Sequence, residues 1–157
     1  MSNILIAYAT RRGWTAKTVE ILAGELKKSH SVDVVDLKKS GNVDLSKYDV
    51  VLVGSSFAMG SWLGEVDEFL AKDLSAKKVG LFASAGATMK GARGNPDLYA
   101  SSMKKVIDSK AEKYGITPFA KKLFGCKISM FGITPLDSWS AEDPVEWAAE
   151  INKLLED

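Results

Sequence analysis

Tyr8-Ala9-Thr10-Arg11-Arg12-Gly13-Trp14-Thr15 is the stretch from which the fold can be read. An apolar run, Ile4-Leu5-Ile6-Ala7-Tyr8, leads into it. Beyond it, from Ala16 to Leu26, Val19, Leu22, Ala23 and Leu26 recur at the spacing of one helical face. The stretch is therefore a short loop from a buried strand into a helix N-terminus. The first N–H groups of a helix have no internal partner, and the helix dipole is positive there. Thr10 and Thr15 add hydroxyls, Gly13 allows close backbone approach, and Arg11 and Arg12 add charge. All of these favour a phosphate. The spacing is not that of a nucleoside-triphosphate loop, Gly-x-x-x-x-Gly-Lys-Ser/Thr. Nor is it a dinucleotide fingerprint, because Gly13 stands alone where three spaced glycines are needed.

Composition narrows the class. The 157 residues are enough for one domain with a full core. Hydrophobic content of 46% and charged content of 26% are those of an ordinary globule. A net charge of +1 argues against a general nucleic-acid binder. No apolar stretch approaches the ~20 residues of a membrane span. The chain enters a strand at once, so no signal peptide is expected. Cys126 is the single cysteine, which precludes an intrachain disulfide and fits a cytoplasmic location. With His30 as the single histidine, a clustered Cys/His metal site is excluded and no metal is expected. His30 itself reads as a solvated residue in a polar turn.

The remaining elements follow in order. Val32 to Leu37 alternates apolar and acidic residues, as an edge strand does. Leu45-Ser46-Lys47-Tyr48 suits a single helical turn. Val50-Val51-Leu52-Val53-Gly54 reads as a central strand. It ends in Ser55-Ser56-Phe57-Ala58-Met59-Gly60-Ser61-Trp62-Leu63-Gly64, a loop of small residues that carries three large apolar ones. Glu65 to Lys72 is a short helix. Lys78 to Ala83 is the fourth strand, followed by Ser84 to Gly94, which reads as a long irregular loop because of its glycines. Asn95-Pro96 starts a long amphipathic helix through Tyr99, Met103, Val106, Ile107, Ala111 and Tyr114, closed by Gly115. Thr117 to Thr134, with Phe119, Leu123, Phe124, Ile128, Met130 and Phe131, reads as a last strand broken near Gly125, with Cys126 as a small buried hydrophobe. Ser140 to Pro144 opens a final helix with Trp147, Ala148, Ile151, Leu154 and Leu155 inward.

Strands alternating with helices imply one α/β domain over residues 1–157: a doubly wound parallel sheet of five strands, order 2-1-3-4-5, with helices on both faces. Its ligand site lies beyond the carboxyl ends of the first and third strands. The unusual loops follow strands one, three and four, so all three converge there. A phospho-acceptor receiver domain shares this topology but needs carboxylates where Ala9-Thr10 and Gly54-Ser55 stand.

The order Thr10-x-x-Gly13-x-Thr15 resembles the phosphate loop of flavodoxins, and the resemblance extends over nearly the whole chain. Phe57-Ala58-Met59-Gly60 is similar to the branch that includes flavodoxin-type protoporphyrinogen oxidases. The resemblance implies FMN as cofactor. Thr10, Arg11, Arg12, Gly13, Trp14 and Thr15 would hold its phosphate. Ser56, Phe57, Ala58, Met59 and Gly60, with Ser84, Ala85, Gly86 and Ala87, would line the ring. Many flavodoxins stack an aromatic side chain on the ring where Met59 stands here. Trp62 either substitutes for it or packs under the next helix. Lys90 and Arg93 stand where flavodoxins tend to carry carboxylates, and would make the bound flavin less strongly reducing. No His, Cys or carboxylate pair is expected near the three loops, so no catalytic residue is assigned. The expected function is an electron carrier between redox partner proteins, in a monomer or weak dimer. The alternative is an FMN-dependent oxidoreductase such as a protoporphyrinogen oxidase or quinone reductase.

Overall fold

Ile4, Leu5, Ile6 and Ala7 are almost wholly shielded from solvent, in a strand covered on both faces. This strand, β1 (Asn3–Ala9), sends Leu5, Ala7 and Ala9 into one apolar cluster and Ile4 and Ile6 into another. The computed structural model describes residues 1–156, with side chains for all but Met130, Thr134 and Pro135. The readings of Met130 and Thr134 as strand side chains therefore lie outside the described residues.

Two parallel neighbours flank β1. On one side is β2 (Ser31–Asp36), the edge strand. On the other is β3 (Val50–Ala58), followed outward by β5 (Lys78–Ser84) and β6 (Ala120–Phe124), all parallel. The order β2-β1-β3-β5-β6 is the expected 2-1-3-4-5 once the short antiparallel β4 (Ser61–Trp62) beside β3 is set aside. Helices α1 (Trp14–Leu26) and α6 (Glu142–Leu155) bury Val19, Leu22, Leu26, Trp147 and Ile151 against one face. The other face is covered by α2 (Gly64–Leu70), α3 (Gly86–Ala92) and the run from α4 (Pro96–Met103) to α5 (Ser109–Lys113). Phe82, Phe124 and Trp147 meet edge-on, with centroids 5.6–5.8 Å apart. Gly54 makes room for them: a Cβ there would lie 2.0 Å from Cε2 of Phe82.

Several elements differ from the sequence reading. The loop after β3 is a hairpin, with Ala58 paired to Ser61 and Met59-Gly60 as its two-residue turn. Positive φ values of 54° and 79° at Met59 and Gly60 match the twist of the flanking strands. Residues 84–94 are not irregular. Ala85 donates to the carbonyl of Phe124, and α3 follows with Met89 and Ala92 buried. Glycine costs about 1 kcal/mol of helix propensity, and here tertiary burial outweighs it.

The stretch 117–134 is not one broken strand. After β6 the chain turns at Gly125 and forms a separate antiparallel pair, β7 (Lys127–Met130) and β8 (Ile133–Asp137). The Phe131-Gly132 turn (φ 53° and 77°) reverses it without the usual Asn or Asp signal. The long helix also widens, into a π turn over Lys104–Asp108. There the carbonyl of Val106 accepts a hydrogen bond from Trp62 Nε1 at 3.0 Å. Trp62 is only 5% exposed, so it packs beneath this helix. His30 is not simply solvated. Its Nδ1 accepts from Ser2 N–H, and its Nε2 lies 2.7 Å from Asn152 Oδ1, which ties the N-terminus to α6.

Candidate functional site

The carboxyl ends of β1, β3 and β5 open on a cavity of about 460 Å³. Arg11, Arg12 and Trp14 border it from the first loop, Ser56 to Gly60 from the hairpin, and Ser84 to Ala87 from the third segment. Every expected site residue except Thr10, Gly13 and Thr15 lines it.

Those three sit behind the wall and shape it. Thr10 Oγ1 accepts from Gly13 N–H at 2.9 Å, and Gly13 takes φ 91° to start α1. Thr15 is 1% exposed, and its hydroxyl lies between Ser56 Oγ (2.9 Å) and Ser84 Oγ (3.0 Å). Thr15 gives its one hydroxyl proton to Ser84, so Ser56 donates to Thr15. Ser56 Oγ in turn accepts from Arg11 N–H at 3.0 Å. One chain of hydrogen bonds thus joins all three loops beneath the cavity.

Thr15→Val would take a hydrogen-bond partner from each serine, and Ser84 is almost wholly buried. The variant should lose about 1–3 kcal/mol of stability, read from its thermal melting. An unchanged melting temperature would show that the chain of hydroxyls contributes nothing.

The first loop keeps donors in reserve. The backbone N–H groups of Arg12, Trp14, Thr15 and Ala16 find no acceptor among the described residues. They surround a helix N-terminus flanked by Arg11 and Arg12, whose side chains form no ion pair among the described residues. Trp14 is held firmly at the rim. Its ring lies 5.2 Å from that of Trp139, with Lys17 Nζ at 5.3 Å and Lys127 Nζ at 5.2 Å from its centroid. Trp139 Nε1 donates to Thr18 Oγ1 at 3.0 Å.

Thr88, Cys126 and Ile128 also line the cavity, so the expectation that no cysteine lies near the loops is corrected. The signal was in the topology: β6 runs parallel to β5, so whatever follows β6 emerges at the same end of the sheet. Burial pushes the Cys126 thiol up from its ordinary range, while its contact with Gly86 and the charge of Arg12 act the other way. Gly86 is required beside it, because a Cβ there would lie 2.4 Å from Cys126 Sγ.

Arg93 does not face the site as a free charge. It donates to both Asp143 oxygens (2.9 and 3.3 Å) and to the carbonyl of Ser138. Lys90 is thus the cation of this segment without an ion pair among the described residues. Met59 projects into solvent with 97% exposure, left uncovered by the described residues. No group of ligands for a metal ion occurs among the described residues. Nor is any helix there long and apolar enough to cross a membrane.

A family model described as "Flavodoxin domain" matches residues 5–134. This chain belongs to the flavodoxin family. Solved structures similar to this flavodoxin-family chain include a short-chain flavodoxin associated with a non-canonical PDU bacterial microcompartment, at 18% identity, TM-score 0.63 and 98% coverage of each chain. Oxidised flavodoxin 2 from Bacillus cereus is similar at 20% identity and TM-score 0.61, with 99% of each chain covered. A flavoprotein from Lactobacillus acidophilus NCFM in complex with FMN is similar at 18% identity and TM-score 0.51, over 78% of this chain and 93% of that one. At these identities the likeness establishes the flavodoxin fold. No curated protein matches the sequence.

Proposed function

We propose that this flavodoxin-family chain binds FMN in the three-loop cavity and carries electrons between redox partner proteins. The observation that carries the reading is the pairing of unpartnered N–H donors at the start of α1 with an adjoining apolar cavity. The volume lies within the 300–1,000 Å³ usual for small-molecule sites. The N–H donors of Arg12, Trp14, Thr15 and Ala16, with the guanidinium groups of Arg11 and Arg12, suit a phosphate. The walls from Phe57 to Gly60 and from Ser84 to Ala87 suit a flat ring system approached by backbone. When bound, FMN would supply one- and two-electron redox chemistry. The chain's own part is to hold the phosphate, to exclude water from the buried side of the ring, and to leave the side near Met59 open to a partner.

Among the described residues no histidine or carboxylate lines the cavity, which favours a carrier over a substrate-converting enzyme. One observation favours the second reading, an FMN-dependent oxidoreductase: the Cys126 thiol stands at the cavity wall, where burial pushes its pKa up. Turnover with quinones or protoporphyrinogen that disappears in Cys126→Ser would establish that reading.

The flavin absorbance of the purified protein tests binding. Alkylation of Cys126 by iodoacetamide tests its place. The raised thiol pKa means less thiolate at any given pH, so labelling should accelerate at higher pH than for an ordinary cysteine. Saturating FMN should suppress the labelling at every pH. Equal labelling with and without FMN would put the flavin elsewhere.

A further inference from the structure

We propose that the mouth of the cavity is a docking face for an acidic redox protein; this rests on the flavin reading above. Among the described residues, the charged side chains that line the cavity or pack on Trp14 at its rim are all cations. Arg11 and Arg12 line the cavity, Lys17 and Lys127 converge on Trp14 at its rim, and Lys90 follows the cavity-lining residues of α3. No Asp or Glu among the described residues lines the cavity. Lys127 alone of these cations forms an ion pair among the described residues, with Asp137 at a loose 3.7 Å. The whole chain carries only +1, so the excess is local. A bound phosphate of roughly −2 would offset the two arginines and leave Lys17, Lys90 and Lys127 facing outward.

Two turns add apolar contact to this charge. Met59-Gly60 and Phe131-Gly132 share one geometry, and each puts a large apolar side chain at positive φ, where bulky residues are rare. Met59 is 97% and Phe131 96% exposed, so packing among the described residues explains neither. Met59 borders the cavity, and Phe131 tips the hairpin whose β7 supplies Ile128 to the wall and Lys127 to Trp14. Methionine, aromatic and arginine side chains are the types enriched at the centres of protein interfaces. Uncommon backbone conformations of this kind cluster at functional positions.

An acidic protein fits this face better than a membrane or a nucleic acid. Three outward lysines fall short of the ~4–8 clustered cations of lipid-binding segments. A flavin that is read by electron transfer also needs a partner's redox centre brought to its mouth. In each encounter, one electron would pass from the partner's reduced iron–sulfur cluster to the bound flavin, which oxidises the cluster and reduces the flavin.

The test mixes oxidised FMN-loaded protein with a reduced, acidic [2Fe–2S] ferredoxin in a stopped-flow instrument across ionic strength. Photoreduced deazaflavin, a small donor, serves as the control. The ferredoxin rate should fall at least about tenfold between ~10 and ~300 mM ionic strength, while the control stays nearly flat. Lys90→Glu and Lys127→Glu should each slow the ferredoxin reaction at low salt. Phe131→Asn should slow it too while melting higher than the parent, a combination that a merely structural role would not produce. A ferredoxin rate that is flat or rises with salt would overturn the docking face, as would variants that react like the parent. Co-sedimentation of the FMN-loaded protein with phosphatidylserine vesicles, lost in the same variants, would overturn it in favour of a membrane. A protein that takes up no FMN at all would instead bring down the flavin reading.

Discussion

The apoprotein should bind FMN roughly a thousandfold more tightly than riboflavin. The two ligands share a ring and a ribityl chain, so the difference isolates the phosphate. Hydrogen bonds to a charged group contribute about 1.5–3 kcal/mol each. The unpartnered N–H groups of Arg12, Trp14, Thr15 and Ala16 offer several, and two that survive the cost of desolvation give about 4 kcal/mol, or ~10³ in affinity. Salt should narrow the gap only slightly if the N–H groups dominate, and strongly if exposed Arg11 and Arg12 do. Quenching of flavin fluorescence in paired titrations reads both numbers. Similar affinities for the two flavins would remove the phosphate from the loop.

Gly125→Ala should be among the most damaging single-methyl changes in the molecule. A Cβ at Gly125 would fall 1.8 Å from the carbonyl oxygen of Ser138, a backbone atom that cannot rotate aside. Ser138 holds the hairpin β7–β8 to the site: its Oγ–H donates to the carbonyl of Gly86 at 2.8 Å, and its N–H donates to that of Cys126 at 3.0 Å. Its own carbonyl accepts from Arg93. Overpacking against such a fixed group costs about 3 kcal/mol, which for a chain of this size is roughly 6–12 °C in melting temperature. Gly24 gives the opposite sign. It lies within α1 with nothing within 4 Å of an added Cβ, so Gly24→Ala should stabilise by about 0.5–1 kcal/mol. Differential scanning fluorimetry on the pair checks the contrast. A Gly125→Ala protein that melts like the parent would mean that Ser138 can move away freely.

The sheet was legible because its strands are buried on both faces: Ile4 to Ala7 and Val50 to Val53 form continuous apolar runs that few other structures accept. Loops one and three announced themselves through Thr10, Gly13, Thr15 and the small residues after Ser84. What escaped depends on contacts distant in sequence. The glycines of residues 84–94 disguise α3, whose stability comes from Met89 and Ala92 packing on the sheet. The reversal at Phe131-Gly132 lacks a turn signature, so two strands read as one. Cys126 reaches the cavity because β6 runs parallel to β5, so the strand order that gathers three loops also carries the segment after β6 to that end, and no local pattern marks it. Thr15 was expected to face a ligand. Its place between Ser56 and Ser84 reflects how closely β3 and β5 run, which no local pattern encodes.

The ³¹P spectrum of the FMN-loaded protein as a function of pH tests most directly whether the loop Thr10–Thr15 holds the phosphate. A phosphate monoester free in water takes up its second proton near pH ~6. Backbone N–H donors and a helix N-terminus favour the dianion and depress that pKa. One narrow resonance, displaced from that of free FMN and constant from pH ~5 to ~8, is the result expected. A resonance that moves through a midpoint near pH ~6, as it does for FMN in solution, would place the phosphate in solvent and contradict the assignment of the loop.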